Sequence, residues 1–73
     1  MEQKLTAPLA GKILKLELKV GAQVEEDDDA LIIEAMKMET PVYVPCDGTV
    51  KEVNVKEGDE VEEDDVLAVI KEK

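Results

Sequence analysis

Few side chains here could take part in covalent chemistry, and one of them sits at the midpoint of the sequence. Lys37 lies in the stretch Glu34-Ala35-Met36-Lys37-Met38-Glu39-Thr40, where its amine is a group that another enzyme could acylate. The chain has no histidine, so neither a Ser-His-Asp nor a Cys-His nucleophile can be assembled, and an ordinary zinc site lacks its usual ligands. The sole cysteine, Cys46, falls in a turn with nothing nearby in sequence to activate it. Glu34 and Glu39 flank the lysine as solvated carboxylates rather than catalytic acids. The acidic run from Glu25 to Asp29 lacks the spaced ligands and central glycine of a calcium loop, which makes it a solvated turn. The chain is poorly equipped to catalyse a reaction alone, but well equipped to present an amine for covalent loading.

Such loading places demands on the surrounding elements. The modifying enzyme must close its active site around the amine, so the lysine has to protrude. A tight turn supplies the protrusion, and a rigid scaffold beneath it fixes the direction. A solvent-exposed lysine is protonated at neutral pH, so the acylating enzyme must take up the proton. Methionine is adaptable and common at recognition surfaces, so Met36 and Met38 fit a recognition role better than a core one.

An internal repeat supplies the scaffold. With the sequence shifted by 37 positions, Pro8 falls on Pro45, Gly11 on Gly48, Lys19 on Lys56 and Gly21 on Gly58. Val24-Glu25-Glu26-Asp27-Asp28 then falls on Val61-Glu62-Glu63-Asp64-Asp65, and Ile33 on Ile70, without a gap. The repeat runs over about 8–34 and 45–71, inside one domain spanning 1–73. Each half opens with a turn, Pro8-Leu9-Ala10-Gly11 or Pro45-Cys46-Asp47-Gly48. In the first half Leu14, Leu16, Leu18 and Val20 alternate with charged residues, as in a half-buried strand. In the second half Val50 stands three residues before Val53, a step that flips the face and predicts a β-bulge near Glu52; Ile13 and Leu16 share that spacing. The runs Ala30–Ile33 and Val66–Ile70 predict strands covered on both sides. Thr40-Pro41-Val42-Tyr43-Val44-Pro45 predicts an edge strand between the halves. Ala30 to Glu39 is rich in helix formers, yet its counterpart Val66–Ile70 is rich in Val and Ile and Pro41 would cut a helix short, so a strand is expected. The two-fold relation would put Lys37 at one extremity and the chain ends at the other.

Composition sets the outer limits. Seventy-three residues allow one small domain, with a stability of roughly 4–11 kcal/mol. Tyr43 is the only aromatic residue, so the core is aliphatic. A formal charge of −10 disfavours nucleic acid and direct membrane insertion and favours partners with basic docking surfaces. No apolar run reaches the roughly 18–20 residues of a membrane-spanning helix. A lone cysteine in an unstapled small domain fits a reducing cytoplasm.

At Ala35-Met36-Lys37-Met38 the sequence resembles the biotinyl/lipoyl-attachment domain family, and within it the biotin carboxyl carrier proteins, whose biotin-accepting lysine sits in an Ala-Met-Lys-Met tetrapeptide. The resemblance extends from about Ala7 to Ile70 and includes the turns at Pro8 and Pro45. It implies an all-β fold, a small flattened β-barrel or sandwich of two quasi-two-fold halves (a barrel-sandwich hybrid) with the modified lysine on a hairpin tip. Lys37 matches the lysine that biotin–protein ligase joins to biotin, and Ala35, Met36 and Met38 match the residues that serve recognition by the ligase. Biotin as cofactor then takes up a carboxyl group at a biotin carboxylase subunit and delivers it at a carboxyltransferase or decarboxylase subunit, with no catalytic residue on the carrier. The halves align without a gap, so the thumb insertion of acetyl-CoA carboxylase carriers is absent. Asp27 and Asp64 stand where the family commonly has glycine; aspartate tolerates a left-handed backbone better than most residues. Two other functions share the fold. A lipoyl carrier of 2-oxoacid dehydrogenases usually has its lysine in an Asp-Lys-Ala turn, which is missing here, and a non-loaded β-module for protein–protein contact needs no lysine at the tip.

Overall fold

The computed structural model describes residues 1–73. It consists of eight strands: β1 (Glu2–Thr6), β2 (Gly11–Leu16), β3 (Gln23–Val24), β4 (Asp29–Ala35), β5 (Met38–Tyr43), β6 (Gly48–Val53), β7 (Glu60–Val61) and β8 (Val66–Glu72). They form two four-stranded sheets, ordered β1-β8-β6-β3 and β5-β4-β2-β7, in which every pairing is antiparallel. The sheets pack as a sandwich and do not close into a barrel. The shift of 37 carries β1 onto β5, β2 onto β6, β3 onto β7 and β4 onto β8, so the two sheets are related by the repeat. Each sheet takes two strands from each half: β1 and β3 join β6 and β8, and β2 and β4 join β5 and β7.

The stretch from Ala30 to Ala35 is a strand despite its helix formers. It pairs on both sides, with Ile13, Lys15 and Leu16 of β2 and with Val42, Pro41 and Thr40 of β5. Those ladders bury Leu31 and Ile33, which with Ile13, Val44, Val50, Leu67 and Ile70 form the fully enclosed part of an aliphatic core. Each such side chain contributes roughly 1.5–3 kcal/mol by leaving water. No polar side chain is buried. β8 is covered on both faces, with Leu67, Ala68, Val69 and Ile70 all buried, whereas Ile32 of β4 is only half-buried.

The three-residue spacings mark bulges in both halves. The register slips between Ile13 and Lys15 and again between Val50 and Glu52, leaving Leu14 and Lys51 as the extra residues. The bulge corrects the simple alternation of the first half. Ile13 and Leu18 point into the core, while Leu14 and Val20 are 42% and 67% exposed, and β2 ends at Leu16.

The acidic turns rest on paired aspartates. Asp27 and Asp64 both adopt φ of 71°, the left-handed conformation that the family's glycine would adopt freely. One residue later, Asp28 Oδ2 accepts the Glu25 amide at 2.9 Å and Asp65 Oδ2 accepts the Glu62 amide at 2.9 Å. These side-chain bonds hold the turn that the preceding aspartate must distort to complete.

The molecule measures 35 × 17 × 16 Å. The β4–β5 hairpin ends in the turn at Met36 and Lys37, and its two-fold mate is the place where the chain ends meet. There the Glu72 amide donates to the Met1 carbonyl at 2.7 Å. Tip and termini therefore occupy opposite ends of the long axis.

Candidate functional site: a lysine at a hairpin tip

Ala35 pairs with Met38, which leaves Met36 and Lys37 as a two-residue connection. Their φ values of 52° and 65° make it a type I′ turn, the connection whose twist matches that of the flanking strands. Sequences with Asn-Gly or Asp-Gly occupy that turn easily; Met-Lys does so under strain. The strain is placed where the chain must be sharpest. Met36 is 94% and Met38 70% exposed, Lys37 is exposed between them, and Ala35 is half-buried at the base. Ala35, Met36, Met38 and the lysine are thus gathered at one point, and no methionine of the tetrapeptide enters the core.

The amine of Lys37 takes part in neither of the two ion pairs, Lys15–Glu17 and Lys51–Glu2, and in no side-chain hydrogen bond. It is therefore free to be drawn into another protein. Glu34 and Glu39 face each other directly across β4 and β5, with Lys12 next in the same row. They form a charged band below the tip and lie on the strands, off the turn itself. Cys46, half-buried against the core, has its thiol pushed up by burial and by the carboxylates of Glu72, Asp47 and Glu26, so it is held in the unreactive form. A shallow depression beside the tip, between Gly11, Val61 and Met36, is too open to enclose a prosthetic group.

The positive φ at Met36 and Lys37 was not readable from residue types, because neither residue favours it. The register of β4 against β5 imposes it.

Residues 3–70 match the family described as "Biotin-requiring enzyme". The chain belongs to that family. As a biotinyl domain it is a biotin carboxyl carrier of the biotin-dependent carboxylases and decarboxylases, with biotin as its cofactor. Over 33 residues it is 54% identical to the mitochondrial methylcrotonoyl-CoA carboxylase subunit alpha of Oryza sativa subsp. japonica, covering 45% of this chain and 4% of that one. Over 38 residues it is 47% identical to the glutaconyl-CoA decarboxylase subunit gamma of Acidaminococcus fermentans, covering 52% of this chain and 26% of that one. Among solved structures it superposes on the urea carboxylase of Kluyveromyces lactis with a TM-score of 0.86 and 38% identity, covering 96% of this chain and 6% of that one. A single-chain, multi-domain long-chain acyl-CoA carboxylase gives a TM-score of 0.91 at 29% identity, covering 99% of this chain and 7% of that one. The biotinyl domain therefore spans only a small part of the proteins it matches. These four are carboxylases and a decarboxylase, not 2-oxoacid dehydrogenases, which favours biotin over a lipoyl group.

Proposed function

We propose that Lys37 is the residue on which this domain carries biotin, and that the domain shuttles a carboxyl group between separate active sites without catalysing either half-reaction. The observation that carries this reading is the turn: a non-glycine pair in left-handed conformation holding one unpaired, exposed amine at the end of a 35 Å body. The site fits the group. An amide bond to the ε-nitrogen needs an accessible amine with clear space ahead of it, and the tip provides both.

Biotin–protein ligase is the proposed loading partner. Met36 and Met38 offer it flexible apolar contacts on either side of Lys37, and Ala35 keeps the base of the turn narrow. No base contacts the amine, so the ligase removes its proton. Bound there, biotin would supply the atom that takes up a carboxyl group and gives it away. The remaining work belongs to the protein: Lys37 anchors the arm, the type I′ turn aims it, and the sandwich keeps bulk away from the walls of the receiving active site. The proposed later partners are a biotin carboxylase component and a carboxyltransferase or decarboxylase component.

The test is co-expression with a biotin–protein ligase followed by mass spectrometry of the intact and digested protein. A biotin adduct on Lys37, lost in Lys37→Arg with the fold unchanged by circular dichroism, is the expected result. A lipoyl adduct, an adduct elsewhere, or no adduct would overturn the reading.

A further inference from the structure

The repeat offers an internal control, because each position on one sheet has a counterpart on the other. The outer faces of the two sheets do not match. On the β1-β8-β6-β3 sheet the outward positions Lys51, Lys4 and Thr6 are polar, and Lys51 is tied to Glu2 by an ion pair. Their counterparts on the β5-β4-β2-β7 sheet, under the same shift of 37, are Leu14, Pro41 and Tyr43. Leu14 and Tyr43 are 42% and 50% exposed. Half-buried Ile32 lies between them, opposite Lys15 on one side and Pro41 on the other. The central residue is apolar on both faces, since the twin of Ile32 is Val69. Val69, however, is only 8% exposed, between Lys4 and Glu52, whereas Leu14, Pro41 and Tyr43 around Ile32 are themselves apolar and exposed. The fold does not require this, because the polar twin meets the same structural demands.

The apolar face also has a direction. It runs along the strands that carry the tip, from Tyr43 through Ile32 and Pro41 to the Glu34–Glu39 row, one residue pair short of the turn at Met36 and Lys37. Ile32 lies five residues from Lys37, about 17 Å at strand rise. A protein partner of ordinary footprint covers about 800 Å², a radius of about 16 Å, so one partner centred on the tip reaches this face.

We propose that the outer face of the β5-β4-β2-β7 sheet, centred on Leu14, Ile32 and Tyr43, is the docking surface for biotin–protein ligase while its active site closes over Lys37. The proposal rests on Lys37 being the loaded residue. The chemistry selects the ligase. It meets the bare lysine, with no arm to extend its reach, so its own surface must descend onto the flanking strands. Later partners meet the group at the end of a tether and can stand off. The complementary surface is apolar at its centre, with basic side chains opposite Glu34 and Glu39. Pro41 lacks an N–H on the edge strand, which favours contact with the face over addition of a strand to the edge. A second copy of the chain is disfavoured, since each carries a formal charge of −10.

The test is steady-state biotinylation by purified biotin–protein ligase with biotin and ATP, varying the intact protein as acceptor. Leu14→Thr/Tyr43→Thr leaves the net charge unchanged and puts at position 43 the residue that the twin face already carries. Melting temperature by circular dichroism checks the fold. The expected result is a KM raised about tenfold with kcat retained, as for loss of an interface anchor outside the reacting centre. A KM within twofold of the parent overturns the proposal. So does a parent that sediments as a dimer when the variant is a monomer, since the face then belongs to a second copy. Absence of any loading in the parent would instead refute Lys37 as the acceptor, so the two failures are distinguishable.

Discussion

Replacing Met36-Lys37 with Asn-Gly should make this protein more stable while abolishing its capacity to be loaded. Both residues sit in the left-handed region, at φ of 52° and 65°. That conformation costs an ordinary L-residue about 1–2 kcal/mol, hence about 2–4 kcal/mol for the pair. Asparagine recovers part of the first cost. Glycine recovers all of the second, but returns about 0.5–1 kcal/mol through the greater freedom of the unfolded chain. The net gain is about 1–2 kcal/mol in a domain whose total stability is of order 4–11 kcal/mol. For a chain of this size, that raises the melting temperature by about 4–16 °C. Loss of the Lys37 charge from an already acidic chain opposes the gain slightly, so the comparison belongs at moderate salt. Thermal unfolding followed by circular dichroism gives the answer, with a streptavidin gel shift to confirm loss of loading. A melting temperature equal to or below the parent's would refute the argument, because it would mean that the turn stores no strain.

Gly48→Ala should cost about 2–3 kcal/mol in urea unfolding, since an added Cβ would overlap the Lys71 carbonyl oxygen and stand 2.9 Å from its carbon, forcing β6 away from β8. Raising salt from low to moderate concentration should raise the parent's melting temperature, because a charge of −10 includes the crowded turns Glu25–Asp29 and Glu62–Asp65; an unmoved transition would contradict this. The hydrogen bond and charge of Lys51 hold the Glu2 carboxyl below its ordinary range, and Glu2 holds the Lys51 amine above its own. The Glu2 contribution is therefore present above the ordinary carboxylate range and lost as pH falls through its lowered value, so Glu2→Gln should be less stable than the parent at neutral pH, with the difference vanishing in acid. A difference that persists unchanged into acid would show that the ion pair does not matter.

Much of this architecture is legible in the residues because the repeat states it twice. Val50 and Val53 reveal a bulge by their spacing, and Ile13 and Leu16 repeat it. Asp27 and Asp64 announce a left-handed turn because few other non-glycine residues accept one. Where local pattern and bulge compete, the pattern misleads: Leu14 belongs to an apolar alternation in sequence yet faces solvent, because the extra residue turns it outward. The left-handed turn at Met36-Lys37 is silent in the sequence for another reason. Its conformation is dictated by two strands in register, and neither methionine nor lysine favours it. The apolar outer face is in principle visible in sequence, through the mismatch of Leu14 with Lys51 and of Tyr43 with Thr6, but only once the alignment of the halves is known to be a spatial one.

Each repeat places two strands in either sheet, which links the two repeats like clasped hands. Neither repeat can part from its neighbour without breaking the pairing in both sheets, so a pull on the hairpin is shared by the entire body. A domain built this way keeps its shape under load, and the freedom to move at the tip is left to the Lys37 side chain.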